Sequence, residues 1–182
     1  MADIKLLDCT LRDGGYVNNW QWGFGSARRI IQTLTRAGVD IVEVGFLRNV
    51  DGYDPDVTVC NTIEELNRLL PDEGQRGHTM YSGMAMRSNY DIAKLSPYDG
   101  HGIEIIRITA HDYDIKDGMD FARASKNWAT RSPSTPSTSW ATATRTCSGS
   151  LSRSTKFIRG SSPLWIPSAA CAPRSGAHRQ HG

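Results

Sequence analysis

Acidic residues are missing from the last part of the chain: all 19 Asp and Glu lie within residues 1–127, beside 14 of the 21 Lys and Arg. Residues 128–182 carry the other 7 cations and no acid, so a net charge of +2 divides into −5 and +7. Those cations are scattered among Ser, Thr and Pro, with no stripe and no aromatic interleaving, which argues against a nucleic-acid footprint. No run of about 18 apolar residues exists, so no membrane-spanning helix is expected. The start, MADIKLLDCT, lacks the basic and long apolar stretches of a secretory leader, and a cytoplasmic protein is the expectation. The four cysteines, Cys9, Cys60, Cys147 and Cys171, make no C-x-x-C pair, so reduced thiols are expected. His-x-His is also absent. The 182 residues suffice for one domain, but a closed eightfold β/α barrel takes about 200–250.

What is present reads as alternating strands and helices. Residues 4–7 form a short apolar strand ending at Asp8, followed by a Gly- and Asn-rich turn over 14–19. Ser26 is placed to cap a helix whose Ile30, Ile31, Leu34 and Ala37 share a face, with Gly38 at its end. IVEVG, residues 41–45, reads as a buried parallel strand with one polar interruption. Residues 47–60 read as a loop. Thr62 and Glu65 have capping-box spacing ahead of Ile63, Leu66 and Leu70. Strands are expected over 79–86 and 103–108, a short helix over 89–95 and a longer one over 115–126. Four such units in about 127 residues predict an α/β fold of parallel βαβ units. Periodicity alone leaves half of a TIM (β/α)8 barrel and a small doubly wound sheet both open.

LDCTLRDGGY, residues 7–16, resembles the signature of the DRE-TIM metallolyase superfamily, which includes 3-hydroxy-3-methylglutaryl-CoA lyase, 4-hydroxy-2-oxovalerate aldolase and isopropylmalate synthase. VDIVEVGF, residues 39–46, and IRITAHDYDIKDGMDFA, residues 106–122, extend the resemblance over about two thirds of the chain. The resemblance implies the N-terminal half of an aldolase-type TIM barrel over residues 1–127. It also implies a carbon–carbon lyase acting on a small 2-oxo acid, with Mn²⁺ or Mg²⁺ as cofactor and homo-oligomeric intact relatives. No nucleic acid and no membrane is expected among the partners. An enolate forms in such a reaction, and its growing negative charge must meet preplaced positive charge. By resemblance Asp13 is a metal ligand and Arg12 stabilises the enolate oxygen.

Glu43 interrupts an apolar strand, where a carboxylate needs a partner; the resemblance sets it against Arg or metal-bound water, and a structural salt bridge is the other reading. His111 follows the fourth strand as a site-lining residue or a simple loop histidine. Asp8 either orients Arg12 or accepts backbone hydrogen bonds. Tyr16 stands where the related aldolases carry a catalytic His, and a phenol serves as acid or base only if its pKa falls from about 10. The family's His-x-His metal ligands have no counterpart, and His178 and His181 lie in a stretch without helical pattern. Two alternatives stay open: a Claisen-type acyltransferase or pyruvate carboxyltransferase of the same superfamily, and a non-catalytic pseudogene product or half-barrel binding module.

Residues 128–182 show neither helical nor strand period and read as a disordered Ser/Thr/Pro/Arg-rich tail. A frameshift after residue 127 accounts for the loss of acids. If each intended codon takes its first base from the preceding wobble position, both Trp-Ala pairs, at 128–129 and 140–141, require a hidden Gly. Trp165 and Ile166 likewise require a hidden Asp. The hidden text around these positions resembles the next strand and loop of the family. On this reading the chain is inactive as it stands, and DNA showing one intact frame near codon 127 overturns it.

Overall fold

The structure, a computed structural model, describes residues 5–111, 115–129, 140–146, 153–159 and 162–166, with side chains described for 5–109 and 116–125. Strands β1 (Leu7–Asp8), β2 (Ile41–Leu47), β4 (Met80–Met86) and β5 (Ile105–His111) lie side by side in that order, all parallel. A two-residue strand, β3 (Val59–Cys60), runs parallel beside the end of β2. Helices α3 (Phe24–Arg36), α4 (Ile63–Asn67) and α5 (Ile115–Ala129) alternate with these strands, and two single turns, α1 (Thr10–Asp13) and α2 (Gly15–Asn18), follow β1. This is an α/β arrangement of the partial TIM-barrel type. Of the strand expected over 4–7 only Leu7 lies in β1, and the strand expected over 103–108 lies in β5 from Ile105 onward.

Beyond α5, β6 (Trp140–Thr146) pairs parallel with β5, but β7 (Arg153–Arg159) and β8 (Ser162–Ile166) return antiparallel. A β/α barrel needs every neighbour parallel, joined by a crossover. The barrel pattern therefore stops at β6. Alternating Thr142, Thr144 and Thr146 suit an extended segment, a period that the sequence reading of 128–182 passed over. His178 and His181 lie outside the described residues.

Four local expectations are revised. Helix α3 begins two residues before Ser26, because the Asp56 carboxylate accepts the Phe24 N–H at 2.8 Å and Gly23 turns into the helix with φ 73°. Residues 47–60 are loop only in part, since β3 closes them. Over 89–95 only a 3₁₀ turn, Ile92–Lys94, forms, started by the Asp91 side chain accepting the Ala93 N–H. The turn over 14–19 is helical through α2 and then left-handed at Asn19 and Trp20. The capping box forms as predicted: Thr62 accepts the Glu65 N–H and Glu65 accepts the Thr62 N–H.

The outer face of the sheet carries the main core. Val42, Val44, Leu47, Tyr81, Ala85, Ile106 and Ile108 pack with Ile31 of α3, Ile63 and Leu66 of α4, and Phe121 of α5. The inner face is different. Its rows read Glu43–Ser82–Ile105, then Phe46–Met84–Arg107, with Met86–Thr109 above them towards the strand ends. Glu43 and Phe46 share a face although they are three apart, because the β2–β4 register skips Val44. A bulge of this kind re-aims a strand. Gly45 permits it: a Cβ there would collide with the Thr58 carbonyl oxygen and the Leu66 side chain.

Candidate functional site

The site grows from the carboxyl end of β1, where ligands of parallel α/β folds bind. Asp8 accepts the Thr10 N–H (3.1 Å) and the Thr10 hydroxyl (3.0 Å), so it starts turn α1 rather than gripping Arg12. That turn sends Arg12 inward, where it is buried. Trp20 fixes the turn from above: its indole Nε1–H donates to the Arg12 carbonyl at 2.8 Å, and its ring fills the space a Cβ on Gly15 would need. Trp22 Nε1–H holds the neighbouring Leu11 carbonyl at 3.0 Å. Trp20 reaches this place with φ 59°, a left-handed backbone that costs a bulky residue about 1–3 kcal/mol. Burial of the indole and its hydrogen bond offset that strain.

Arg12, Glu43 and Arg107 form one buried cluster. Glu43 is 0% exposed. Its Oε1 accepts from Arg12 Nε at 2.7 Å and from Arg107 Nη2 at 2.6 Å, while its Oε2 accepts from Arg107 Nε. The Arg107–Glu43 contact is thus a two-pronged fork, the strong form of such a pair. Burial works against the Arg107 charge, but Glu43 outweighs it and holds the guanidinium above its ordinary pKa. Arg12 Nη1 pairs with Asp13 Oδ1. Two guanidiniums therefore face two carboxylates. Each guanidinium keeps one terminal nitrogen uncommitted among the described residues, Nη2 of Arg12 and Nη1 of Arg107, and neither is among the sealed polar atoms without a partner.

Two hydroxyls on the same face are sealed and unpartnered. Among the described residues Ser82 Oγ and Thr109 Oγ1 have no hydrogen-bond partner, at 1% and 6% exposure of their residues. Leaving a buried hydroxyl unsatisfied costs about 1–3 kcal/mol. They stand on either side of the Arg107 row, one below and one above.

The residues singled out in the sequence divide. Arg12, Asp13 and Glu43 come together. Tyr16 does not join them: it sits on α2, 60% exposed, with its ring edge-on to Trp20 at 4.8 Å between centroids. His111 ends β5, and its side chain lies outside the described residues. Arg107 escaped the sequence reading. The signal was available, since a charge inside IEIIRI raises the same question as Glu43 inside IVEVG, and the two answer each other.

Among the described residues, the groups around Asp13 do not make up a divalent-ion site. One oxygen faces Arg12, and the other accepts the Cys9 thiol at 3.2 Å. Burial, with that hydrogen bond to Asp13, pushes the Cys9 thiol up to about 11. Among the described residues no group of three or more His, Cys, Asp or Glu is arranged to hold a metal. No helix among the described residues is long and apolar enough to cross a membrane.

Four chains of solved structures match. A solved structure described as the N-terminal domain of a putative aldolase from Bacteroides vulgatus is similar at 23% identity and a TM-score of 0.43. The match covers 69% of this chain and 42% of that one, so the chain spans about two fifths of the length of the protein it resembles. No family model matches, and no curated protein matches.

Proposed function

We propose that residues 1–127 are the N-terminal half of a carbon–carbon lyase of the aldolase type, which binds a small 2-oxo acid and stabilises its enolate. The observation that carries this reading is the Arg12–Glu43–Arg107 cluster on the inner face of the sheet, with an uncommitted Arg12 Nη2. A guanidinium fixed by Glu43 and Asp13 cannot turn away, so it meets developing oxyanion charge without reorganising. Met84, Phe46 and Ile105 keep the surroundings apolar, which strengthens that interaction. LDCTLRDGGY and the sequence around Glu43 support the same reading.

Mn²⁺ or Mg²⁺ belongs to such a reaction, and among the described residues Asp13 is not joined by two further His, Cys, Asp or Glu placed to hold it. On the non-catalytic reading, the chain binds the 2-oxo acid head and does not turn it over. Titration with oxalate, a planar mimic of the pyruvate enolate, tests this. Heat of binding is expected from the 182-residue chain, and R12K, which keeps a cation for Glu43 but loses the fork, is expected to weaken it at least about tenfold, the loss of one charge-assisted hydrogen bond. Equal oxalate binding by R12K overturns the proposal. Release of pyruvate from 4-hydroxy-2-oxo acids with added Mn²⁺ would overturn the non-catalytic part.

A further inference from the structure

We propose that Arg48 is a specificity-determining residue of this site, and that it selects a 2-oxo acid carrying a second acidic group at its far end. The inference rests on the proposed function, since it assumes that Arg12 receives the 2-oxo acid head.

Arg48 directly follows β2 and continues its inner face. Phe46 points inward and Leu47 packs into the outer core, so the next side chain points inward again. The guanidinium carbon lies 5.2 Å from the Phe46 ring centroid and 5.7 Å from that of Trp20. Both contacts are cation–π in kind. They seat the guanidinium over the two rings, and its N–H groups make no hydrogen bond among the described residues.

Those N–H groups have no acid to answer them. Arg12, Arg87, Arg107 and Arg123 each hold a carboxylate. Among the described residues Arg48 makes no ion pair, and its side chain makes no hydrogen bond. An arginine stacked on aromatic rings with its edge open is prepared for two-pronged recognition of a carboxylate.

Arg48 is also tied to the reacting end of the site. The indole that carries it is the one whose Nε1–H fixes the Arg12 carbonyl at 2.8 Å. Across the same face, one row above Arg107, stands Thr109 with its sealed and unpartnered hydroxyl. Arg12 and Arg48 thus mark two cationic ends at the mouth of neighbouring strands, with Phe46, Met84 and Met86 as apolar surroundings. A five-carbon 2-oxo diacid presents anions at both ends and an apolar middle.

The test compares 2-oxoglutarate with 2-oxovalerate, which has the same carbon count and no distal acid. Isothermal titration of the 182-residue chain is expected to favour 2-oxoglutarate by at least about tenfold, the worth of one charge-assisted pair. R48M keeps apolar cover over Phe46 and is expected to erase that preference while leaving 2-oxovalerate binding unchanged. R48K, a charge without the fork, is expected to fall between. Urea midpoints of both variants separate a folding defect from a lost contact. An undiminished preference for 2-oxoglutarate in both folded variants overturns the inference, whatever happens to oxalate. Binding of 2-oxoglutarate that depends on Arg48 but not on Arg12 supports the Arg48 site and overturns the proposed function. Absence of binding by either acid overturns both.

Discussion

The two faces of this sheet are made of different chemistry. Outward from β2, β4 and β5 stand Val42, Val44, Tyr81, Ala85, Ile106 and Ile108, all packed under helices. Inward from the same strands stand Glu43, Ser82, Arg107 and Thr109, in alternation with Phe46, Met84 and Ile105. On the outer face the Tyr81 hydroxyl meets the Thr35 hydroxyl at 2.9 Å, and among the described residues the buried Tyr90 hydroxyl is the group left without a partner. On the inner face two hydroxyls are unpartnered and two guanidiniums have donors to spare. The outer face holds the fold together, while the inner face holds polar groups in readiness at a cost in stability. That pattern is what the proposed binding site requires.

Removing charge from the inner face should produce the largest effect. E43Q leaves Arg12 and Arg107 buried together without their shared acid, and is expected to cost about 3–5 kcal/mol, read as a lowered urea midpoint. A cost comparable to an ordinary surface change would mean that the cluster is not a buried charge network. On the outer face L66A, which opens a cavity beside Gly45 and Gly83, is expected to cost about 2–5 kcal/mol. Next in size is G45A. It presses a Cβ against the Thr58 carbonyl and is expected to cost about 1–3 kcal/mol. Because Gly45 sits at the bulge, G45A should also weaken oxalate binding by displacing Glu43 and Arg12. A G45A protein with wild-type oxalate affinity would show that the bulge does not position the site.

T109V sharpens the contrast from the other side. It removes an unsatisfied hydroxyl without changing shape, and is expected to raise stability by about 1 kcal/mol. If T109V destabilises the protein, the hydroxyl has a structural partner and the inner face is better satisfied than described. The smallest effect concerns Cys9. With its thiol pushed up to about 11 by burial and by Asp13, alkylation of the Cys9 peptide, followed by mass spectrometry, should be slow at pH 8 and accelerate towards pH 11. D13N removes one cause of the shift and should speed the reaction near pH 8; an unchanged rate would show that burial alone sets it.

Much of this was legible in the sequence because the relevant signals are local. A β-branched run with one acid, IVEVG, marks a buried strand with a partner to find. Thr62 and Glu65 mark a helix start that forms as read. LDCTLRDGGY marks a turn that brings Arg12 and Asp13 together. What escaped depends on distance along the chain. The cap of α3 is Asp56, thirty-two positions from Phe24. β3 is strand only because β2 lies beside it. Arg107 is a site residue only because Glu43, sixty-four positions away, needs it. Trp20 adopts a backbone that no propensity favours, held there by Arg12 and Gly15. The stop in the barrel pattern after β6 is a topological fact, yet it falls in the region where the sequence loses its acids.

The central claim is that the inner face of this chain is an anion site built from arginines and incomplete for a metal. Mn²⁺ binding by the 182-residue chain, followed through the electron paramagnetic resonance signal of the free ion, tests it most directly. The account predicts that the free-ion signal rises in proportion to added Mn²⁺ from the first addition, with oxalate binding unchanged by the metal. Stoichiometric loss of that signal at micromolar Mn²⁺, abolished by D13N, would contradict it.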